Sequence, residues 1–251
     1  MGVLMIYALT KNKKKIASYD AIKGEMYFCP CCGGELILKS GKTNIIHFAH
    51  KNLLDCDVFE SDMSEWHINW QNKFPIENRE VVIKHTFDVE DNFIKNNGLI
   101  AGKEYAHRAD VCIGKYIIEF QHSTISKEQF DFRNYFYSQC GYKIIWIFDF
   151  RDEFRCKRME CYDEWNKSYD NGGIWKWSYP AKFLSNVVPQ FNKNIKIFFQ
   201  VADNSDDECN CIEMVTWAIC NYNSADFKRF YTSYKITNYM ELYDSLINNK
   251  L

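Results

Sequence analysis

The sequence carries no surplus of positive charge: 31 Lys and Arg stand against 33 Asp and Glu, a formal net charge of −2. That excludes a bulk polycation that coats nucleic acid, so any such contact must come from a local basic patch. The lysines at Lys11, Lys13, Lys14 and Lys15 are one such run, although a short lysine run is most often a solvated turn. Long hydrophobic runs are also missing. The most apolar stretches, such as Ile144 to Phe148, are far too short to cross a bilayer. No basic segment precedes the opening Met-Gly-Val-Leu-Met-Ile, so no targeting signal is visible, and there is no internal repeat or disordered linker. The eleven cysteines are an odd number in a chain without an export signal, which points to thiols and metal ligands rather than a disulfide framework. These absences predict a cytoplasmic protein with no membrane association. Its 251 residues, 47% hydrophobic, suffice for a sizeable core in one domain with appendages.

Among the cysteines, Cys29 and Cys32 form a C-x-x-C pair followed by Gly33 and Gly34, the tight turn of a zinc knuckle. Fourteen residues separate Cys32 from His47, where His47-Phe-Ala-His50 supplies a second pair. Two thiolates and two imidazoles make a closed tetrahedral set, the arrangement of a structural zinc site rather than a catalytic one. Leu36 to Leu38 and Ile45-Ile46 would form the hairpin that joins the two pairs. The His-x-x-His spacing is looser than that of a finger, which leaves Cys31 and Cys56 as substitute ligands, and an unmetallated hairpin as the alternative.

Residues His107 to Ser123 read as a hairpin with Gly114-Lys115 as a two-residue primed turn. Pairing back from that turn sets Asp110 opposite Glu119. Alternation then puts Ala109, Val111, Ile113, Tyr116, Ile118 and Phe120 on a core face, and Arg108, Asp110, Cys112, Ile117, Glu119 and Gln121 on the other. Like charges directly opposed are destabilising unless something neutralises them. A divalent cation with oxygen ligands, Mg²⁺ or Mn²⁺, would do so. A solvated sheet face with its acids paired to Arg108 is the plainer alternative.

Around the hairpin, Met63, Trp66, Trp70 and Phe74 fall on one stripe of a helix over 61–74, which Pro75 stops. Residues 79–89 read as a strand. Ser126-Lys-Glu-Gln129 has capping-box spacing for a helix that ends at Gly141, and Lys143 to Asp149 follows as a buried strand. Helix, three strands, helix, strand is an α/β order that closes a mixed sheet.

That order, with Asp110 and Glu119-x-Gln121 on its second and third strands, resembles the PD-(D/E)XK restriction-endonuclease-like core. More closely, the chain resembles the CoiA-like family of bacterial competence proteins. The resemblance covers roughly residues 5–150. It rests on Cys-Pro-Cys-Cys-Gly-Gly-Glu-Leu, His-Phe-Ala-His, Glu-Ser-x3-Glu-x-His, Arg-Ala-Asp-Val, Ile-Glu-Phe-Gln-x-Ser and Phe-x2-Arg-x3-Tyr, in that order. It implies a metal-dependent deoxyribonuclease linked to DNA uptake, processing, recombination or phage defence. Carried over, Asp110 is the motif aspartate and Glu119 the second metal ligand. Gln121 stands where the wider superfamily has lysine, Glu65 is the first-helix acid with His67 beside it, and Arg133 and Tyr137 are a pair facing substrate phosphate. Arg108, opposite Gln121, would supply the missing positive charge.

The division implied is a zinc-ribbon-like β-hairpin at 1–57, the nuclease core at 58–150, and an α+β C-terminal extension at 151–251. In the extension, Cys156 and Cys161 hint at a second metal. Trp175 and Trp177 suit base stacking or, more often, core packing. Residues 194–202 read as a strand, 211–220 as a short apolar helix, and Phe227 to Leu251 as helical. The rival functional class is a zinc-knuckle DNA-binding adaptor with a degenerate core, which recruits a recombinase, a helicase or a defence partner.

Overall fold

The computed structural model describes residues 5–41, 45–52, 63–88, 91–161, 173–178, 194–202, 210–218, 227–237 and 244–248. The chain divides into two compact units, with the boundary after Val111.

In the first unit the lysine-rich turn closes a hairpin, because Thr10 and Lys14 pair through their backbones (2.9 Å) and Lys13 takes a positive φ of 59°. It joins β1 (Tyr7–Thr10) to β2 (Lys15–Ala17). With β3 (Tyr27–Phe28), β4 (Glu35–Lys39) and β5 (His47–His50) these form a five-stranded sheet in the order β2-β1-β3-β4-β5. One face buries Met5, Ala8, Tyr27, Cys29, Leu36 and Phe48 as a small core. Helix α1 (Glu65–Gln71) starts at Ser64, whose hydroxyl accepts from the His67 amide, and is shorter than the expected 61–74. Beyond Pro75, β6 (Arg79–Thr86) pairs antiparallel with β7 (Glu104–Ile113), and the short helix α2 (Asn92–Asn96) lies between them in sequence.

In the second unit, β7 ends at the turn Gly114-Lys115, where Gly114 has the positive φ (55°) that a primed turn needs. β8 (Tyr116–Gln121) follows, then α3 (Lys127–Gln139), whose capping box between Ser126 and Gln129 forms as expected, then β9 (Lys143–Asp149). β9 lies between two parallel neighbours, β8 and β12 (Ile195–Ala202), so it is an interior strand with both edges paired. That position explains why Ile144 to Phe148 is an unbroken apolar run, all of it buried. The rest of the sheet comes from α4 (Arg151–Arg155) onward: β10 (Met159–Cys161), β11 (Gly173–Ser178), β13 (Asn210–Ala218) and β14 (Phe227–Thr237), in the order β10-β11-β14-β13-β12-β9-β8.

The α/β class and the mixed sheet match the expectation. Of the helices expected at 211–220 and from Phe227, residues 211–218 and 227–237 are instead strands paired with each other, whereas 244–247 are helical. A short apolar run rich in aromatic and β-branched residues cannot be assigned to helix or strand by period alone, and an open sheet edge decides it. Among the described residues no helix is long and apolar enough to cross a membrane.

Candidate active site and metal-ligand cluster

The turn after β3 is built around sulfur. Gly33, at φ 73°, donates its amide to the Cys29 carbonyl, and the Cys29 amide returns to Gly34 (2.8 Å). The amides of Cys31 and Gly34 each point at a sulfur, Cys29 Sγ and Cys32 Sγ, both at 3.3 Å. From β5, His50 Nε2 reaches Cys32 Sγ at 3.4 Å. The ligand atoms of Cys29, Cys32 and His50 all lie within 4.8 Å of one another, a group able to hold a metal ion. Two thiol sulfurs and an imidazole suit a borderline-soft ion such as zinc.

His47 does not join this group. Residues three apart on a strand point to opposite faces, so His50 shares a face with Phe48 while His47 lies on the other. There its Nδ1 bonds the Ile45 carbonyl at 2.8 Å. The four-ligand set read from His-x-x-His is corrected on this point. Cys31 packs beside the small core, and Cys56 lies outside the described residues.

Asp110 belongs to the first unit, on β7. His67 Nε2 stands 3.0 Å from its Oδ1, with both side chains buried. Gln71, one turn along α1, donates from Nε2 to the Asp110 carbonyl at 3.3 Å. The stripe of α1 that serves Asp110 is therefore His67 and Gln71. Glu65 is exposed, since two positions on a helix turn the side chain by about 200° away from His67. The first-helix acid is not brought to this aspartate.

A second buried acid was missed by sequence reasoning. The pairs Arg79↔Val111 and Val81↔Ala109 set Glu80 of β6 level with Asp110. Glu80 Oε1 accepts from the Ile6 amide (3.3 Å) and Oε2 lies 3.6 Å from Arg108. Burial pushes its carboxyl above the usual range, against the pull of Arg108, the Ile6 amide and Lys15. Its φ of 43° is strained for a residue with a side chain, and such strain collects at functional sites. An acid directly before the apolar run Val81-Val82-Ile83 was the available signal. Arg108, expected to meet substrate, is turned to Glu80.

Glu119 belongs to the second unit, on β8, and is also buried. Arg133 donates to its Oε2 (2.9 Å) and the Tyr137 hydroxyl to its Oε1 (2.6 Å). Both donors come from one stripe of α3, one turn apart, and α3 is docked by Trp146, whose Nε1 donates to Asn134 (2.9 Å). The pair expected to face phosphate thus holds the carboxylate instead. Gln121, two residues on, folds its amide back to the Ser123 carbonyl at 2.8 Å.

Each carboxylate offers hard oxygen donors of the kind Mg²⁺ and Mn²⁺ take. Every oxygen has two lone pairs, so the contacts from His67, Arg133 and Tyr137 leave room for an ion.

Comparison with known proteins places these residues in two matched segments. Residues 9–59 match the family model described as Competence protein CoiA, N-terminal domain, and residues 102–167 match Competence protein CoiA, nuclease-like domain. The first segment holds Cys29, Cys32 and His50, and the second holds Asp110, Glu119, Arg133 and Tyr137. The chain is similar to Competence protein CoiA of Bacillus subtilis (strain 168), 40% identical over 47 residues, which are 19% of this chain and 13% of that relative. No solved structure matches the chain.

Proposed function

Because the chain belongs to the CoiA-like family, we propose that it is a metal-dependent nuclease that hydrolyses DNA on a PD-(D/E)XK-type core. Asp110 and Glu119 would hold Mg²⁺ or Mn²⁺. The observation that carries this reading is that both acids are buried in a nuclease-like segment, each oriented by a polar side chain from a helix. Burying two carboxylates is costly, and a fold with no use for them would be more stable with apolar residues there. Once bound, the ion would lower the pKa of a water and stabilise charge on the phosphate. The protein's own part is positioning: His67 and Gln71 fix Asp110, and Arg133 and Tyr137 fix Glu119. Cys29, Cys32 and His50 would hold a structural zinc in the N-terminal sheet, with Cys31 and Cys56 the substitutes the sequence offers for the fourth ligand.

The test is cleavage of labelled single- and double-stranded DNA in Mg²⁺, Mn²⁺ or EDTA, comparing wild type with Asp110→Asn. Cleavage should need the metal and fall at least about a thousandfold in the variant, the scale of losing a principal charge-stabilising group, with its melting temperature close to wild type. Cleavage that persists in Asp110→Asn refutes the assignment.

One observation favours a second reading. Glu119 already has a full counter-ion in Arg133, which a metal ligand does not require. DNA binding without cleavage in wild type would support a zinc-knuckle adaptor that recruits a recombinase, helicase or defence partner.

A further inference from the structure

The carboxyl ends of the parallel strands β8 and β9 carry a polar cluster outside the proposed metal site. Gln121 pairs with Phe148, so the next step of the register sets His122 beside Asp149. The Asp149 side chain is 6% exposed and accepts four hydrogen bonds. Its Oδ2 takes His122 Nδ1 (2.7 Å) and Arg151 NH2 (2.7 Å), and its Oδ1 takes Arg151 Nε (2.7 Å) and the Arg151 amide (3.3 Å). Burial alone would raise this carboxyl, but the Arg151 and His122 hydrogen bonds outweigh it and hold the group below the usual range. Asp149 therefore stays ionised and fixes two basic side chains that reach the surface, His122 at 48% and Arg151 at 28% exposed.

Starting a helix accounts for only one of these bonds, the one from the Arg151 amide at the start of α4. The N-cap of α4 is Phe150, with no side-chain cap. The acids of α4 are compensated elsewhere, Asp152 by Arg155 and Glu153 by Arg158. Because Asp149 occupies Nδ1, the imidazole's other nitrogen, Nε2, is directed away from it, and in the protonated ring that nitrogen donates to an anion. Beside it is the Arg151 guanidinium, its Nε and Nη2 turned to Asp149, a permanent cation of the kind that attracts phosphate.

We propose that His122 and Arg151, both held by Asp149, form a phosphate-binding pair that grips the backbone or end of the nucleic-acid substrate. This inference rests on the nuclease reading for the identity of its ligand and adds a substrate contact that the metal site lacks.

The experiment is fluorescence anisotropy on the full chain in buffer without added Mg²⁺ or Mn²⁺, so that binding is read whether or not the protein cuts while any structural zinc is kept. The probes are one single-stranded DNA oligonucleotide with a 5′-phosphate and the same strand with a 5′-hydroxyl, with inorganic phosphate as competitor. His122→Ala should weaken binding about tenfold, the scale of one charge-assisted hydrogen bond. Its melting temperature should not change, and His122→Gln should recover part of the affinity. A loss confined to the 5′-phosphate strand identifies a strand-end site; an equal loss for both strands identifies an internal phosphodiester. Unchanged affinity for both strands in His122→Ala and Arg151→Gln overturns the proposal, as does an effect on inorganic phosphate alone. If Arg151→Gln lowers the melting temperature, the half-exposed His122 decides the matter. Failure of cleavage in wild type would sink the nuclease reading but leave this binding result standing.

Discussion

Asp110 and Glu119 are both buried acids steadied from a helix, yet their partners differ in kind. Asp110 meets an imidazole, His67, and lies level with a second buried acid, Glu80. Glu119 meets a guanidinium and a phenol. An imidazole can take up or release a proton near neutral pH, whereas a guanidinium is always charged. A cation arriving at Asp110 therefore meets an imidazole rather than a permanent charge. At Glu119 it must share the carboxylate with a permanent one. The two sites teach that burial alone does not set how a carboxylate would take a cation; the charge of its partner matters as well.

The largest effect that would sharpen this contrast is expected at Arg133. Arg133→Ala strands a buried carboxylate and should cost roughly 3–5 kcal/mol in urea unfolding. The double variant Glu119→Gln, Arg133→Met should recover most of that loss. A cost of about 1 kcal/mol or less, as for a surface pair, would break the contrast by showing that Glu119 does not depend on its cation. A smaller change is expected on removing the other donor: Tyr137→Phe deletes one hydrogen bond to a charged group, worth about 1.5–3 kcal/mol. No measurable loss would place the phenol outside the network.

The smallest expected effect concerns the charge next to Glu80. Lys15 donates to the Arg79 carbonyl and lies beside Glu80. Burial pushes its ammonium down to about 8, with Glu80 pulling the other way. The unfolded lysine keeps its proton to about pH 10.4, while the folded one gives it up near 8, so in between the unfolded state binds more protons. Stability must then rise with pH across that window. Measured against Lys15→Met, which lacks the group, the wild type should gain stability between pH 8 and 10. A flat difference would show that the ammonium is solvated in the folded chain.

Much of the site was legible before any fold was known, and the reasons are local. The Ser126 capping box, the Gly114 turn and the covered strand Ile144 to Phe148 each follow from neighbouring residues, and each is where it was expected. Asp110 and Glu119 were singled out by alternation about that turn. The misreadings share a cause. Glu65 and His67 are two apart on a helix and cannot serve one point. His47 and His50 are three apart on a strand and face opposite sides. A spacing has meaning only once its element's period is fixed, and motif reading skipped that step.

By itself the sequence determined the elements of the α/β order, the two cysteines of the knuckle, and the acids of the candidate site, because capping, turn chemistry and side-chain period act over a few residues. Only the tertiary structure decided which groups those acids meet. It placed Glu80 level with Asp110, turned Arg133 and Tyr137 inward onto Glu119, and set His122 against Asp149. It also made strands of residues 211–218 and 227–237, where helices were expected. Each of these pairings joins residues far apart in the chain, and their choice depends on strand register and on the burial of unpaired charge, which no local pattern encodes.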